Sequence, residues 1–419
     1  MYLGISCLRA DWHAAQVTDQ PGPEIVVPCL EKTGVLPETG IFAELESLTD
    51  LTRFYENSEA GGLFRLKEEQ ASQAAFDALE GTNVGECYDG WLRSQASSID
   101  AVGISHPYGL SPAVRRALPS LVDGELVLAR HRVDLDAPHC NLKPNGEAPR
   151  LCALETPLAV ALELVAKKRV EVPSVLVIVS PGSSGFEVTI LDVGRNVDRL
   201  MLSVTGFGLL PQNTSSVHSL TKHCLTKWNG GNRVKAAAVI HVGTQAADPA
   251  RRISELIECS NVIDTTESDA AGGVARYAVL CVTGHLTLAG ANISGLDCQL
   301  IAPHAIGICC RSETDGSDLF WCPIIEAGDP LTGQEITVQL SEPFPDEIVL
   351  AECVSTTRGR RAWVVGTQDL RWHSLLPLLY DRAADSPPDD YRLSIRIHGS
   401  AGCLRYGWSD PFARIELRP

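Results

Sequence analysis

The chain of 419 residues has room for two or three domains, and 44% hydrophobic against 21% charged residues is the balance of a folded globular protein, which excludes disorder as its main state. Its 35 basic against 52 acidic side chains leave a net charge of -17 with no basic cluster, which argues against partners such as nucleic acid or an anionic membrane surface. Apolar runs such as 172–179, VPSVLVIV, are too short for a membrane span and no charged, apolar leader opens the sequence, so a cytoplasmic location is expected.

MYLGISCL, WHAAQV and EIVVPCL are short apolar or alternating runs separated by polar residues and Pro, which predicts consecutive strands. Helical spacing over 64–79 predicts a helix, and IDAVGIS, ending at Ser105, predicts a further strand. Thr156 is placed to cap a helix beginning at Pro157 and ending in Lys167 and Lys168. Asp248 and Pro249 repeat that start signal before ARRISELI. Between them VPSVLVIVS is wholly apolar, as a strand buried on both faces must be. From about residue 288 the pattern changes to period two, in LIAPHAIGI, DLFWCPII, EITVQL, EIVLAECV and YRLSIRIH, with Gly, Pro or Asp between the runs. The chain therefore reads as α/β followed by all-β.

The 14 cysteines run from Cys7 to Cys403 without a repeated spacing or a C-x-x-C pair, so structural thiols are expected rather than disulfides or a zinc ribbon. Ser219 and Lys222 make an S-x-x-K pair, but its companion motifs are absent and SVHSLTKHC reads as an amphipathic helix. His218, His223 and Cys224 on that helix lack a second ligand pair, so no metal is expected there.

The order of several blocks resembles a known family. GISCLRADWHAAQV, SHPYGLSPAVRRAL, LETPLAVALEL, VLVIVSPGSSGFEVTIL, VIHVGTQAADPARRISEL and SDAAGGVARYAVL are similar, in order, to blocks of the nucleotide-binding domain of DnaK-type heat-shock-70 chaperones. APHAIGICCRSETDGSDLFWCPIIEAGDPL and YRLSIRIHGSAGCLRYGWSDPFARIEL are similar to the first and last strands of that family's substrate domain. The resemblance implies a two-lobed, actin-like α/β domain over 1–287, a linker over 288–297 and an all-β substrate-binding sandwich over 298–419, with no counterpart of the family's helical lid.

It also implies a site for ATP or ADP with Mg²⁺, in which two glycine hairpins wrap the phosphates and carboxylates hold the metal's water shell. The first hairpin falls on Ser6, Cys7 and Leu8, with serine at the acidic position and leucine where glycine should stand. The second falls on Ser180, Gly182, Ser183 and Ser184, again with serine at the acidic position. Glu155 matches the family's acidic position beside the reaction centre, Glu187 matches a second acidic position, and Gly243 and Thr244 match the adenosine side. The catalytic lysine has no clear counterpart, with Lys67 a candidate by proximity. Serine in place of two carboxylates removes electrostatic support from hydrolysis, so a weak ATPase or none is expected.

In the β domain the resemblance directs attention to Ile306, Ile308, Cys309, Cys310, Phe320, Trp321 and Cys322 as the place for a protein or peptide partner held in extended form. The leading expectation is a chaperone or adaptor with a degenerate ATPase site. The alternatives are a divergent but active ATP-dependent chaperone and a structural subunit of an assembly.

Overall fold

The computed structural model describes residues 2–6, 8, 12–17, 27–32, 42, 46, 99–110, 150–182, 185–211, 235–311, 319–331, 335–340, 347–353, 363–364, 370–377, 391–398 and 403–408. The helix expected at 64–79, Lys67, the S-x-x-K pair and the His218, His223 and Cys224 cluster lie outside these residues. One compact unit takes the described residues up to Gln299, and a second takes those from Leu300.

In the first unit, β1 (Tyr2–Ser6), β2 (Trp12–Val17), β3 (Val27–Lys32), β4 (Ala101–His106) and β5 (Arg150–Glu155) form a sheet in the order β3-β2-β1-β4-β5. β1 runs antiparallel to β2 and parallel to β4, and β4 runs parallel to β5. Helix α1 (Thr156–Ala166) follows, then β6 (Ser174–Pro181), β7 (Gly185–Asn196), β8 (Arg199–Pro211) and β9 (Ala238–Val242). After a 3₁₀ turn come α2 (Ala247–Leu256), β10 (Val262–Thr265) and α3 (Glu267–Thr283). The strands β8-β7-β6-β9-β10 repeat the order of the first sheet, with β6 antiparallel to β7 and parallel to β9. This doubled α/β order agrees with the two-lobed, actin-like expectation.

The cores follow from the sequence pattern. YLGIS and AVGISH are buried along their whole length because helices cover the face that would otherwise meet water. Helix α3 packs on β1, β2, β4 and β5, while α1 touches α3 and strands of both sheets, so the two helices form a layer between the sheets. Glycines set that spacing. A Cβ built on Gly4 of β1 would lie 1.8 Å from the Ala271 carbonyl oxygen, and one on Gly273 of α3 would lie 1.8 Å from that of Ala159 in α1. On the far side of the second sheet, Val177, Val179, Val188, Ile190, Val239, Ala250 and Ile253 form a separate cluster under α2.

Both helix starts differ from expectation. Thr156 is the first residue of α1 rather than its cap, and its hydroxyl donates to the His106 carbonyl at 2.9 Å. Asp248 lies within the first turn of α2, 3.0 Å from Arg252, because the preceding 3₁₀ turn starts the helix two residues earlier. Helix α3 carries a complete capping box between Thr266 and Asp269 and closes on Gly284, whose φ of 73° suits glycine.

A charge network joins the central helices. Arg276 Nε donates to Glu163 Oε2 at 2.8 Å with both side chains almost wholly buried. Lys167 Nζ stands 3.1 Å from Glu163 Oε1 and 2.6 Å from Asp269 Oδ1. Burial alone would raise the Asp269 pKa, but its bonds from Lys167 and the Thr266 amide hold it below the ordinary 3.8. Burial lowers Lys167, yet Asp269 and Glu163 together raise it above its ordinary 10.5. The signs differ. Asp269 adds stability that is present above its unfolded pKa and lost as pH falls through the lower folded one; Lys167 adds stability present below its unfolded pKa and lost as pH rises through the higher folded one. Urea midpoints measured across pH should therefore fall at both ends, and Asp269→Asn should flatten the acid limb. An unchanged acid limb in that variant would remove Asp269 from the balance.

The stretch expected as a linker is structured. Residues 288–297 fall in the hairpin β11 (Leu286–Leu288) and β12 (Ala291–Ile293) and in β13 (Gly295–Gln299), which adds to the second sheet in parallel beside β8. Leu296 and Cys298 are buried there, and the Arg199 guanidinium grips Asp297 at 2.6–2.9 Å. Burial of these side chains and the strand pairing hold the segment on the sheet.

Among the described residues, every element of the second unit is a strand. The unit contains β14 (Ala305–Arg311), β15 (Leu319–Ile325), β16 (Glu335–Leu340), β17 (Glu347–Cys353), β18 (Trp363–Val364), β19 (Leu370–Pro377), β20 (Tyr391–His398) and β21 (Cys403–Trp408). They form one sheet ordered β18-β15-β14-β17-β19 and another ordered β16-β20-β21, with every pairing antiparallel.

Candidate functional site

Alternation along the strands decides what faces the layer between the two sheets of the first unit. Val177 and Val179 point to the α2 side, so Ile178 and Ser180 point inward; Val188 and Ile190 likewise leave Glu187 and Thr189 inward. On the first sheet Gly4 and Gly103 lie against α3, so Ser6 and Ser105, two residues further along each strand, share that inner face. Ser6 and Ser105 are side by side in the β1–β4 register. The carboxyl ends of parallel strands from both sheets thus present Ser6, Ser105 and Ser180 to the inner layer, the location where open α/β sheets bind ligands.

These hydroxyls share one property. Ser6, Ser105, Ser180 and Thr189 are fully buried, and their side-chain oxygens have no hydrogen-bond partner among the described residues. A buried hydroxyl without a partner calls for ordered water or a ligand atom.

Glu187 is a charged group at this edge, and it is 1% exposed. Its Oε2 accepts the Tyr108 N–H at 2.7 Å and its Oε1 the Gly109 N–H at 2.9 Å, so a strand of the second sheet holds the loop after β4 of the first. Tyr108 also tilts against Phe207 of β8 with ring centroids 5.1 Å apart. Gly182 makes room for the acid: a Cβ there would stand 2.7 Å from Glu187 Cγ. The segment just after β1 is tied into the layer by the Leu8 N–H, which donates to Glu267 Oε2 at the start of α3, 3.3 Å away.

The remaining sequence-named positions are placed as follows. Glu155 is buried and sits at the end of β5 as the residue preceding α1, with no side-chain cap bond to the helix. Gly243 follows β9 as the cap of the 3₁₀ turn with φ 75° and ψ 161°, a conformation that needs glycine, and its N–H donates to the Thr265 carbonyl at 2.8 Å. Thr244 is exposed at the start of the 3₁₀ turn. Cys7, Ser183 and Ser184 lie outside the described residues. In the second unit Ile306, Ile308 and Trp321 are buried, and Trp321 Nε1 donates to the Ala351 carbonyl at 3.0 Å. Cys322 is half-buried; Cys309, Cys310 and Phe320 lie on β14 and β15, and their side chains fall outside the description.

These residues do not fit the magnesium centre that the resemblance implies. Mg²⁺ is held through carboxylates and water in octahedral geometry. Here the two hairpin positions offer neutral hydroxyls, both oxygens of Glu187 are engaged by backbone amides, and no group of three His, Cys, Asp or Glu side chains able to hold a metal occurs among the described residues.

Sequence reasoning missed Tyr108 and Gly109. The available signal was the His-Pro-Tyr-Gly turn directly after a buried strand, a loop whose free amides need acceptors. Among the described residues no helix is long and apolar enough to cross a membrane.

No family model matches the chain, and no curated protein matches it. Among solved structures it is similar to the crystal structure of an archaeal actin homologue, at 12% identity and a TM-score of 0.30, over 66% of this chain and 99% of that one. The doubled strand order of the first unit stands on its own pairings, independent of that likeness.

Proposed function

We propose that the chain is a heat-shock-70-like chaperone or adaptor whose actin-like unit does not turn over ATP and whose β unit holds a protein or peptide partner. The observation that carries this reading is the chemistry of the inner layer. Ser6 and Ser180 supply hydroxyls where the resemblance calls for carboxylates, and Glu187 is committed to two backbone amides. With serine in place of two carboxylates, the site lacks much of the electrostatic contribution that dominates phosphoryl transfer. The order of fold blocks persists around that altered centre, and antiparallel sheets in the second unit provide edges suited to an extended peptide.

Two measurements on the full chain test the reading. Phosphate release from Mg²⁺·ATP should not exceed the uncatalysed background. Fluorescently labelled extended apolar peptides should bind, whereas a single partner co-purifying at a fixed stoichiometry would favour a structural subunit of an assembly. Turnover at the rate of an ordinary ATPase would favour a divergent active chaperone, and failure to bind any peptide or partner would leave the β unit without this role.

A further inference from the structure

We infer that the loop after β4 carries a two-amide oxyanion seat, and that Glu187 occupies it as an internal ligand, closing the inner layer of the first unit without a nucleotide. Successive N–H groups of Tyr108 and Gly109 converge on one carboxylate at 2.7 and 2.9 Å, one amide to each oxygen. Consecutive backbone amides aimed at a point form an anion-binding concavity whatever the source of the anion. A carboxylate 1% exposed persists only with such donors, because stripping water from a charge is costly unless hydrogen bonds replace it.

The surroundings are built for this occupant. The turn from β6 to β7 closes with the Gly182 N–H on the Gly185 carbonyl at 2.8 Å, and only the missing Cβ of Gly182 lets the Glu187 side chain fold across it. The loop itself is braced by the Leu110 N–H on the Pro107 carbonyl at 3.4 Å and by the ring of Phe207 on Tyr108. Glutamate has the length to cross from β7 of one sheet to the loop of the other; aspartate, one methylene shorter, does not reach without moving a strand. The contact does the work that a bound anion would do in joining the two halves. The seat is independent of whether the β unit holds a partner.

Hydrogen exchange on the full chain tests it. In the wild type without added nucleotide, the Tyr108 and Gly109 amides should be protected, and Mg²⁺·ADP should add nothing. In Glu187→Ala they should exchange many-fold faster, with the unfolding midpoint down by roughly 5–10 °C. Acetate or formate should restore protection and midpoint in that variant, while chloride at matched ionic strength should not, and the wild type should be indifferent to the choice. Glu187→Asp keeps the charge and the fold but should lose the protection, and Gly182→Val should do the same by displacing the acid. Protection unchanged by all three substitutions, or protection in the wild type that appears only once Mg²⁺·ADP is added, would overturn the assignment.

Discussion

Replacing Gly273 by valine should be among the most damaging single substitutions in the chain. Even the first added carbon would lie 1.8 Å from the Ala159 carbonyl oxygen, with the Ala159 carbonyl carbon at 2.5 Å. The obstacle is backbone on both sides, so no rotamer change relieves it, and α1 and α3 must separate. That separation loosens the packing of Leu158, Leu162 and Val274, all fully buried, and opens space around the Glu163 and Arg276 pair. Overpacking of this kind costs about 3 kcal/mol or more. Urea unfolding of the purified variant, or loss of soluble yield, would show it. A midpoint within error of wild type would mean that the two helices tolerate a wider spacing than the structure has.

The second large effect concerns Arg276 itself. Arg276→Leu should destabilise the chain by about 3–5 kcal/mol, because it leaves the Glu163 carboxylate buried with Lys167 as its remaining ion-pair partner. The double variant Glu163→Leu/Arg276→Leu should recover much of that loss, since replacing both members of a buried pair by apolar groups is often close to neutral. A double-mutant cycle on urea midpoints separates the two outcomes. If the double variant is as unstable as the sum of the singles, the pair is not a unit, and Lys167 and Asp269 carry the charge balance instead.

Much of the first unit was legible in the amino-acid order. The wholly apolar VPSVLVIVS gave β6, and the runs around Tyr2, Trp12 and Ala101 gave strands of the first sheet. Local signals were less dependable at element ends. Thr156 and Asp248 carry strong capping chemistry, but a cap is defined by backbone geometry, and Glu155 and Ala246 occupy those places. The expected linker failed for a similar reason: LTL, ANI and GLDCQ are too short to show a period, and pairing across a turn and along β8 makes them strands. The site was legible only as positions. Ser6, Ser180 and Gly182 could be named from block order, but the part played by Glu187 depends on residues 108 and 109, far away in sequence, and no spacing rule connects them.

The place of α3 in the fold also has a temporal consequence. Helix α3, at 267–283, covers Gly4 of β1 and Gly103 of β4, so those strands of the N-terminal sheet lack this helix as cover until the chain has grown past residue 283. A ribosome making this protein exposes that sheet for well over a hundred residues of elongation, and contacts this distant in sequence are slow to close. The hazard of misassembly therefore peaks before α3 emerges, and truncations ending just ahead of residue 267 should be recovered as aggregate while those extending beyond residue 299 should not.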